Sequence, residues 1–306
     1  MRRSTFVTAA TVLVGLASIL QPATARAAAY SEMVVFGDSL SDVGNNYQPP
    51  PYWNGRYSNG PVWVEDLSQQ LGLGPVTAST AGGLDYATGG AVTGDMIGQA
   101  QSFIGSKSVD PKALYVVFGG ANDLFNIPTG ATAQQAAAIA QLAIANIATV
   151  ISDLAANGAT NFLVPDLPDL GLTPAAAADP TDATLLSEEF NNGLETTLAG
   201  ATGIDITFLD TFGLLDAAAA NPSAYGFTDV TDPCIGNALP ACSGYLFFDD
   251  EHPTAAAHAL LARAAANALE VPEPGSIVLL GMGLAGLGAA RRRRSALLGW
   301  GGRPRS

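Results

Sequence analysis

The chain has 306 residues, 48% hydrophobic and 13% charged, with 27 acidic side chains against 13 basic ones. Between positions 30 and 270 the only basic residues are Arg56, Lys107, Lys112 and Arg263, while 26 of the 27 acids lie there. That body lacks the Lys/Arg field that neutralises phosphates, which all but excludes a nucleic-acid or anionic-membrane binder, and 12 Phe, 8 Tyr and 3 Trp exclude a chain too polar to form a core.

Residues 1–29 begin with Arg2 and Arg3, continue through an apolar stretch at 6–20 and reach the small-x-small sequence Ala25-Arg26-Ala27. This is the pattern of a cleaved secretory signal, too short and wrongly flanked for a membrane span. From position 30 onward, short apolar runs alternate with helix-prone segments. Strands are expected at 33–36 (MVVF), 84–87 (LDYA), 113–118 (ALYVVF), 161–165 (NFLVP) and 205–210 (DITFLD). Helices are expected at 62–71, 131–156, around 187–198 and at 255–269. Near-continuous apolarity implies strands buried on both faces. The alternation implies an α/β fold, a three-layer α/β/α domain over 30–270 with a five-stranded parallel sheet in the flavodoxin-like order 2-1-3-4-5. Cys234 and Cys242, the only two cysteines, lie in a Gly/Pro/Asn loop, and in an exported chain they are expected to form a disulfide. The final segment, 271–306, starts with Val271-Pro272-Glu273-Pro274, continues with an apolar run at 275–290 and then has four arginines at 291–294. As a helix that run would reach only ~24 Å, short of a ~30 Å hydrocarbon core, and so reads as a marginal stop-transfer segment.

In a doubly wound sheet, ligands bind beyond the carboxyl ends of the strands. Those ends carry Gly37-Asp38-Ser39-Leu40-Ser41-Asp42, then Thr88-Gly89-Gly90-Ala91, then Gly119-Gly120-Ala121-Asn122-Asp123. The fourth polar cluster, Asp249-Asp250-Glu251-His252-Pro253-Thr254, leads into the last helix. A hydroxyl nucleophile such as Ser39 needs a base within hydrogen-bond reach and a group that fixes the base's tautomer. There are two histidines. His252 has Asp249 three residues earlier, close enough for one turn to bring the carboxylate to Nδ1 and leave Nε2 free. His258 has no acid within a helical turn and reads as a partly exposed helix residue. Donors for a tetrahedral oxyanion are available in the Ser39 and Gly90 amides and the Asn122 side chain. An α/β-hydrolase would need a G-x-S-x-G elbow, which does not occur. No zinc spacing or EF-hand loop is found, and no cofactor or metal is expected.

The blocks FGDSLSDVGNN (36–46), YATGGA (86–91), GGANDLF (119–125) and DDEHPT (249–254) resemble the four sequence blocks of the GDSL, or SGNH, hydrolases. Further stretches at 56–73, 164–174 and 190–198 are similar to the lipase/esterase branch. The resemblance implies an SGNH hydrolase fold and an exported serine ester hydrolase working through an acyl-enzyme on Ser39, with His252 as base and Asp249 as its partner. It also implies Ser39, Gly90 and Asn122 as the oxyanion hole. YATGGA leaves Gly89 and Gly90 as alternatives, the second preferred, and Asp250 is expected to be a bystander. The C-terminal segment resembles the PEP-CTERM sorting signal of Gram-negative bacteria. It implies an exosortase-type processing partner, transient inner-membrane anchoring through 275–290, and a destination in the periplasm, at the cell surface or in the extracellular matrix. The substrate reading is a small-molecule or acylated-glycan ester. The alternatives are a polysaccharide O-acetyl esterase and a catalytically idle surface protein that keeps the fold for binding.

Overall fold

Along β1 (Met33–Gly37) successive side chains turn to opposite sides of a sheet, Val34 and Phe36 into one core and Met33 and Val35 into another. This is a computed structural model, and it describes residues 30–236 and 242–269. After β1 come α1 (Trp63–Leu71), α2 (Thr93–Ser106), β2 (Leu114–Phe118), α3 (Ala121–Phe125), α4 (Ala133–Ala156), β3 (Asn161–Pro165), α5 (Pro180–Leu198) and β4 (Asp205–Leu209). They are followed by α6 (Thr211–Ala220), α7 (Pro222–Tyr225), β5 (Asp229–Pro233), β6 (Tyr245–Phe247) and α8 (Ala255–Ala268). Strands β1 to β4 pair in parallel in the order β1-β2-β3-β4, with Val35 opposite Val116 and Val116 opposite Leu163. β5 and β6 form a separate two-stranded sheet.

Helices cover both faces because each sets a stripe of apolar residues at helical spacing against the sheet. On one side lie Met96, Ala100 and Phe103 of α2, Ala140, Ile147 and Leu154 of α4, and Phe190 and Leu194 of α5. On the other lie Trp63 and Leu67 of α1 and Leu261 and Ala262 of α8. A third cluster, built from Ala218, Phe227, Leu246 and Phe247, sits under α6, β6 and α8. Short polar side chains set the helix starts. Thr132 Oγ1 accepts from the Gln135 amide while the Gln135 side chain accepts from the Thr132 amide, a reciprocal cap on α4. Asp210 caps α6 through the Gly213 amide, and Thr254 caps α8 through Ala257.

Several expectations need correction. The described sheet has four laddered strands, and 84–87 only lies alongside β1, through two backbone hydrogen bonds and the bridge Val35–Asp85, with a third hydrogen bond from Thr88 to Gly37. On its outer side the Asp85 amide donates to the Thr77 carbonyl and the Asp85 carbonyl accepts from the Ser79 amide, while Asn45 donates to the carbonyls of Asp85 and Ala87 and the Asp85 carboxylate accepts from the Ala87 and Val43 amides. Burial on both faces holds for β1 and β2 but not for β4, an edge strand whose Phe208 is exposed. Helices α2, α3, α6 and α7 and the pair β5–β6 were not expected, and α5 starts earlier than the sequence suggests. His258 is not partly exposed: it is fully buried between α8 and α1, where Nδ1 accepts from the Trp63 amide at 3.3 Å. The segments 1–29 and 270–306, with the signal and the sorting run, lie outside the described residues.

Candidate active site

The chain leaves β1 at Gly37 and turns at once, because Asp38 folds back on its own loop: its carbonyl accepts from the amides of Ser41 and Asp42 and its carboxylate from that of Leu40. This tight turn presents Ser39 at the carboxyl edge of the sheet. From the far end of the chain, the β6 strand runs into Phe248 and Asp249, and the turn that follows is closed by Phe248 N–H donating to the His252 carbonyl at 2.7 Å. Pro253 and the Thr254 cap then start α8.

These two turns meet. Ser39 Oγ lies 2.7 Å from His252 Nε2, and His252 Nδ1 lies 2.8 Å from each carboxylate oxygen of Asp249. Serine and histidine are far apart in sequence and meet because one follows β1 and the other sits in the turn between β6 and α8. Asp249 Oδ1 also accepts from the Glu251 and His252 amides, and Oδ2 from the Tyr52 hydroxyl at 2.9 Å. Burial alone would raise the Asp249 carboxyl, but the His252 hydrogen bond, its positive charge when protonated and the two amides together outweigh it and hold it below the usual carboxylate range. The carboxylate therefore stays ionised and accepting at neutral pH, which fixes the imidazole in the Nδ1–H tautomer with Nε2 free to take a proton from Ser39. The Asp250 carboxylate makes none of these bonds.

The three N–H groups expected to serve as oxyanion donors differ in what they already bind. Among the described residues neither the Ser39 nor the Gly90 amide has an acceptor, and Asn122 uses one amide hydrogen on the Ala91 carbonyl at 3.0 Å. Gly89 is different: its amide donates to Asp42 Oδ2 at 2.8 Å and is committed. Between the two glycines, then, the second carries the open donor, and its φ of 82° needs a residue without a Cβ. Gly89 is held to glycine by another cause, since a Cβ there would run into the Tyr57 ring.

Sequence reasoning missed the groups that hold this edge in place. Asp42, fully buried, accepts from the amides of Gly44, Asn45, Asn46 and Gly89 and so ties the loop after β1 to the glycine turn. Asn46 bridges the Tyr57 hydroxyl and the Gly89 carbonyl. The Tyr57 ring packs on the His252 imidazole, centroids 5.0 Å apart, and Tyr52 packs edge-on against both Tyr57 and Phe248. DVGNN and the RYSNG stretch were visible as family blocks. Tyr52 carried no signal, because its partner lies 197 residues away. Asp38 is wholly buried beside Ser39. Burial pushes its carboxyl up to about 6, with Asp123 and Glu251 raising it further and the Leu40 amide and His252 working the other way.

Among the described residues no cluster of three or more His, Cys, Asp or Glu could hold a metal ion. The arrangement can do hydroxyl-based nucleophilic chemistry: a serine hydrogen-bonded to a histidine, and the histidine oriented by a carboxylate. Fold and site together define a three-layer α/β hydrolase with a histidine-bonded serine, Ser39, on the turn after the first strand. The family model described as GDSL-like Lipase/Acylhydrolase matches residues 33–265, and the chain belongs to that family of ester hydrolases. A second model, the PEP-CTERM protein-sorting motif, matches residues 270–294 and implies export.

Relatives agree with that assignment. The chain is similar to a phosphatidylcholine-sterol acyltransferase of Aeromonas hydrophila, 29% identical over 84% of this chain and 96% of that protein. It is 30% identical to Esterase EstA of Pseudomonas aeruginosa over 84% of this chain, which spans 49% of EstA. Among solved structures, the lipase Lip_vut3 from a goat rumen metagenome shares the fold, with a TM-score of 0.50 and 14% identity over 78% of this chain and 96% of that one.

Proposed function

We propose that this chain is an exported serine esterase in which Ser39 is the nucleophile, His252 the general base, Asp249 the residue that orients it, and Ser39, Gly90 and Asn122 the oxyanion donors. The observation that carries the reading is the continuous hydrogen-bonded line from Ser39 Oγ through His252 to Asp249. In acylation, Oγ attacks the ester carbonyl carbon as its proton passes to His252 Nε2. The carbonyl oxygen becomes an oxyanion held by the three N–H donors. The carbon–alkoxy bond then breaks, the imidazolium returns its proton to the departing alcohol, and the acyl group remains on Ser39. Water repeats the sequence: His252 takes its proton, hydroxide adds to the acyl carbon, and Ser39 leaves with the proton while the carboxylic acid is released.

In this reading the hydrolase domain is 30–270, preceded by a signal removed from 1–29 and followed by a sorting segment over 271–306. The run at 275–290 holds the chain transiently at the inner membrane until an exosortase-type enzyme processes it, and the product resides in the periplasm, at the surface or in the surrounding matrix. The test of the catalytic part is hydrolysis of p-nitrophenyl butyrate by the wild type and Ser39→Ala. The variant should lose activity by several orders of magnitude. Retention of more than a tenth of wild-type turnover by Ser39→Ala would refute the assignment.

A further inference from the structure

Beside Ser39 an apolar cavity of about 110 Å³ opens between α6, β6 and α8. Its inner wall is made by Leu214, Leu215 and Ala218 of α6, Leu246 and Phe247 of β6, and Leu260 of α8. Ser39, Asn122 and His252 lie on its rim, so the reacting carbonyl and the cavity share one space. We propose that this cavity is the binding site for the alkyl chain of the acyl group, and that the natural substrates are esters of medium-chain aliphatic acids, not acetyl esters.

Three considerations carry this, and all rest on the reading of Ser39 as nucleophile. First, size: one water needs only roughly 10–15 Å³ of such space, so an acetyl methyl group would leave most of the cavity unfilled. Second, chemistry: the lining is apolar except for Ser39, Asn122, His252, Asp38, Glu251 and two threonines whose hydroxyls already donate to the Leu170 and Asp166 carbonyls, so a sugar or other hydroxyl-bearing group set against the leucines would lose its water partners without replacement. Third, order of events: the alcohol departs before deacylation while the acyl group stays fixed to Ser39, so a recess closed by side chains suits the group that remains. Most of this wall belongs to the third core cluster of the fold, in which Ala218, Leu246 and Phe247 are buried and Leu215 and Leu260 pack against them half-buried, while Leu214 packs against the cluster on the α1 and α8 side of the sheet. The cluster is thus packed around a space and leaves it open, with Ala218 the alanine among its buried side chains.

Each methylene buried in apolar surroundings contributes about a fourfold gain in binding. The expected result with the full-length protein and p-nitrophenyl esters of acetate, butyrate, octanoate and palmitate is that kcat/KM rises from acetate to octanoate by at least tenfold. Ala218→Phe, which projects a ring into the recess, should lower the octanoate-to-acetate ratio at least tenfold. Leu215→Asp, which makes the wall polar at a half-buried position, should lower the same ratio. A wild type that hydrolyses acetate as fast as octanoate overturns the proposal whatever the variants do. So does a preference that follows the chain length of the alcohol in place of the acid, or a ratio unmoved in both variants. If no ester in the series is hydrolysed, or hydrolysis survives Ser39→Ala, the reading of the site itself fails. If Ser39→Ala abolishes activity and acyl length makes no difference, only the assignment of the cavity fails.

Discussion

Asp249 accepts from four donors, the amides of Glu251 and His252, the imidazole and the Tyr52 hydroxyl, and this explains why a half-buried carboxylate remains ionised beside an apolar cavity. Its oxyanion counterpart, Asn122, is held by the Ala91 carbonyl through one hydrogen while the other points to the reacting centre in this account. Asn122→Ala should cost about 100-fold to 1000-fold in kcat with KM little changed, the usual loss for one such donor. A rise in KM alone would mark Asn122 as a ground-state binding residue instead. His258 serves a different end. Burial lowers it to about 3, with the charge of His252 adding to the effect, and its Nε2 is buried with no hydrogen-bond partner. Because the folded value lies below the ordinary one near 6.5, the unfolded chain binds the proton more readily. The neutral side chain's contribution is complete above about pH 6.5 and is lost as pH falls toward 3. Asp38, raised to about 6, acts with the opposite sign, gaining stability as pH falls from 6 toward its ordinary value. Comparison with His258→Phe isolates the histidine: the unfolding free energy of wild type relative to this variant should drop by roughly 2 kcal/mol between pH 7 and pH 5. In the proposed mechanism His258 takes no part, so the variant should keep wild-type kcat/KM on p-nitrophenyl butyrate at pH 7. A stability difference that stays constant with pH would contradict the buried, neutral assignment.

The element that carries Asp249 and His252 is short, and its support comes from the loop beside it. Cys234 and Cys242 are joined, their Cα atoms 5.5 Å apart. Cys234 and Ile235 donate their amides to the carbonyls of Phe247 and Phe248, so the Cys234 end of the bridge lies directly against β6 and the turn that follows it. By the chain-entropy model a loop this small contributes about 2.5 kcal/mol. Cys234→Ser with Cys242→Ser should lower Tm by about 5–10 °C, read by calorimetry, and should reduce kcat more than KM because the turn bearing the base is loosened. An unchanged Tm would remove the loop from this role. Neither β5 nor β6 was legible in the sequence, and the reason is physical. β5 reads DVTDP, without an apolar alternation, and is defined only by its pairing to a strand twelve residues further on. α2 places Met96, Ala100 and Phe103 at helical spacing, but Gly94, Gly98 and Gly105 hide that pattern from propensity. The strands β1 and β2, the helices α1 and α4 and the five residues of the site stood out because each is set by local periodicity or by a short block. What escaped was the long-range buttressing: Tyr52 on Asp249, Tyr57 on His252, and Asp42 on Gly89.

At the scale of the whole molecule, charge and processing are linked. The acids are concentrated in 30–270, whereas nine of the 13 basic residues lie in the terminal segments, so removal of both ends leaves a strongly acidic product. Native exported material should begin near Ala28 or Tyr30 and lack everything beyond about 271–275, which intact-mass measurement reads directly. A mass that retains Arg291 to Arg294 would contradict processing and leave the 275–290 run as a permanent attachment. The central claim, a nucleophilic Ser39 activated through His252 and Asp249, is tested most directly by covalent trapping. A fluorophosphonate should add to the wild-type chain at a stoichiometry of one, with the adduct mapped by peptide mass spectrometry to Ser39 and reaction slowed by several orders of magnitude in His252→Ala. Modification at any other residue, or labelling of His252→Ala at the wild-type rate, would contradict the account.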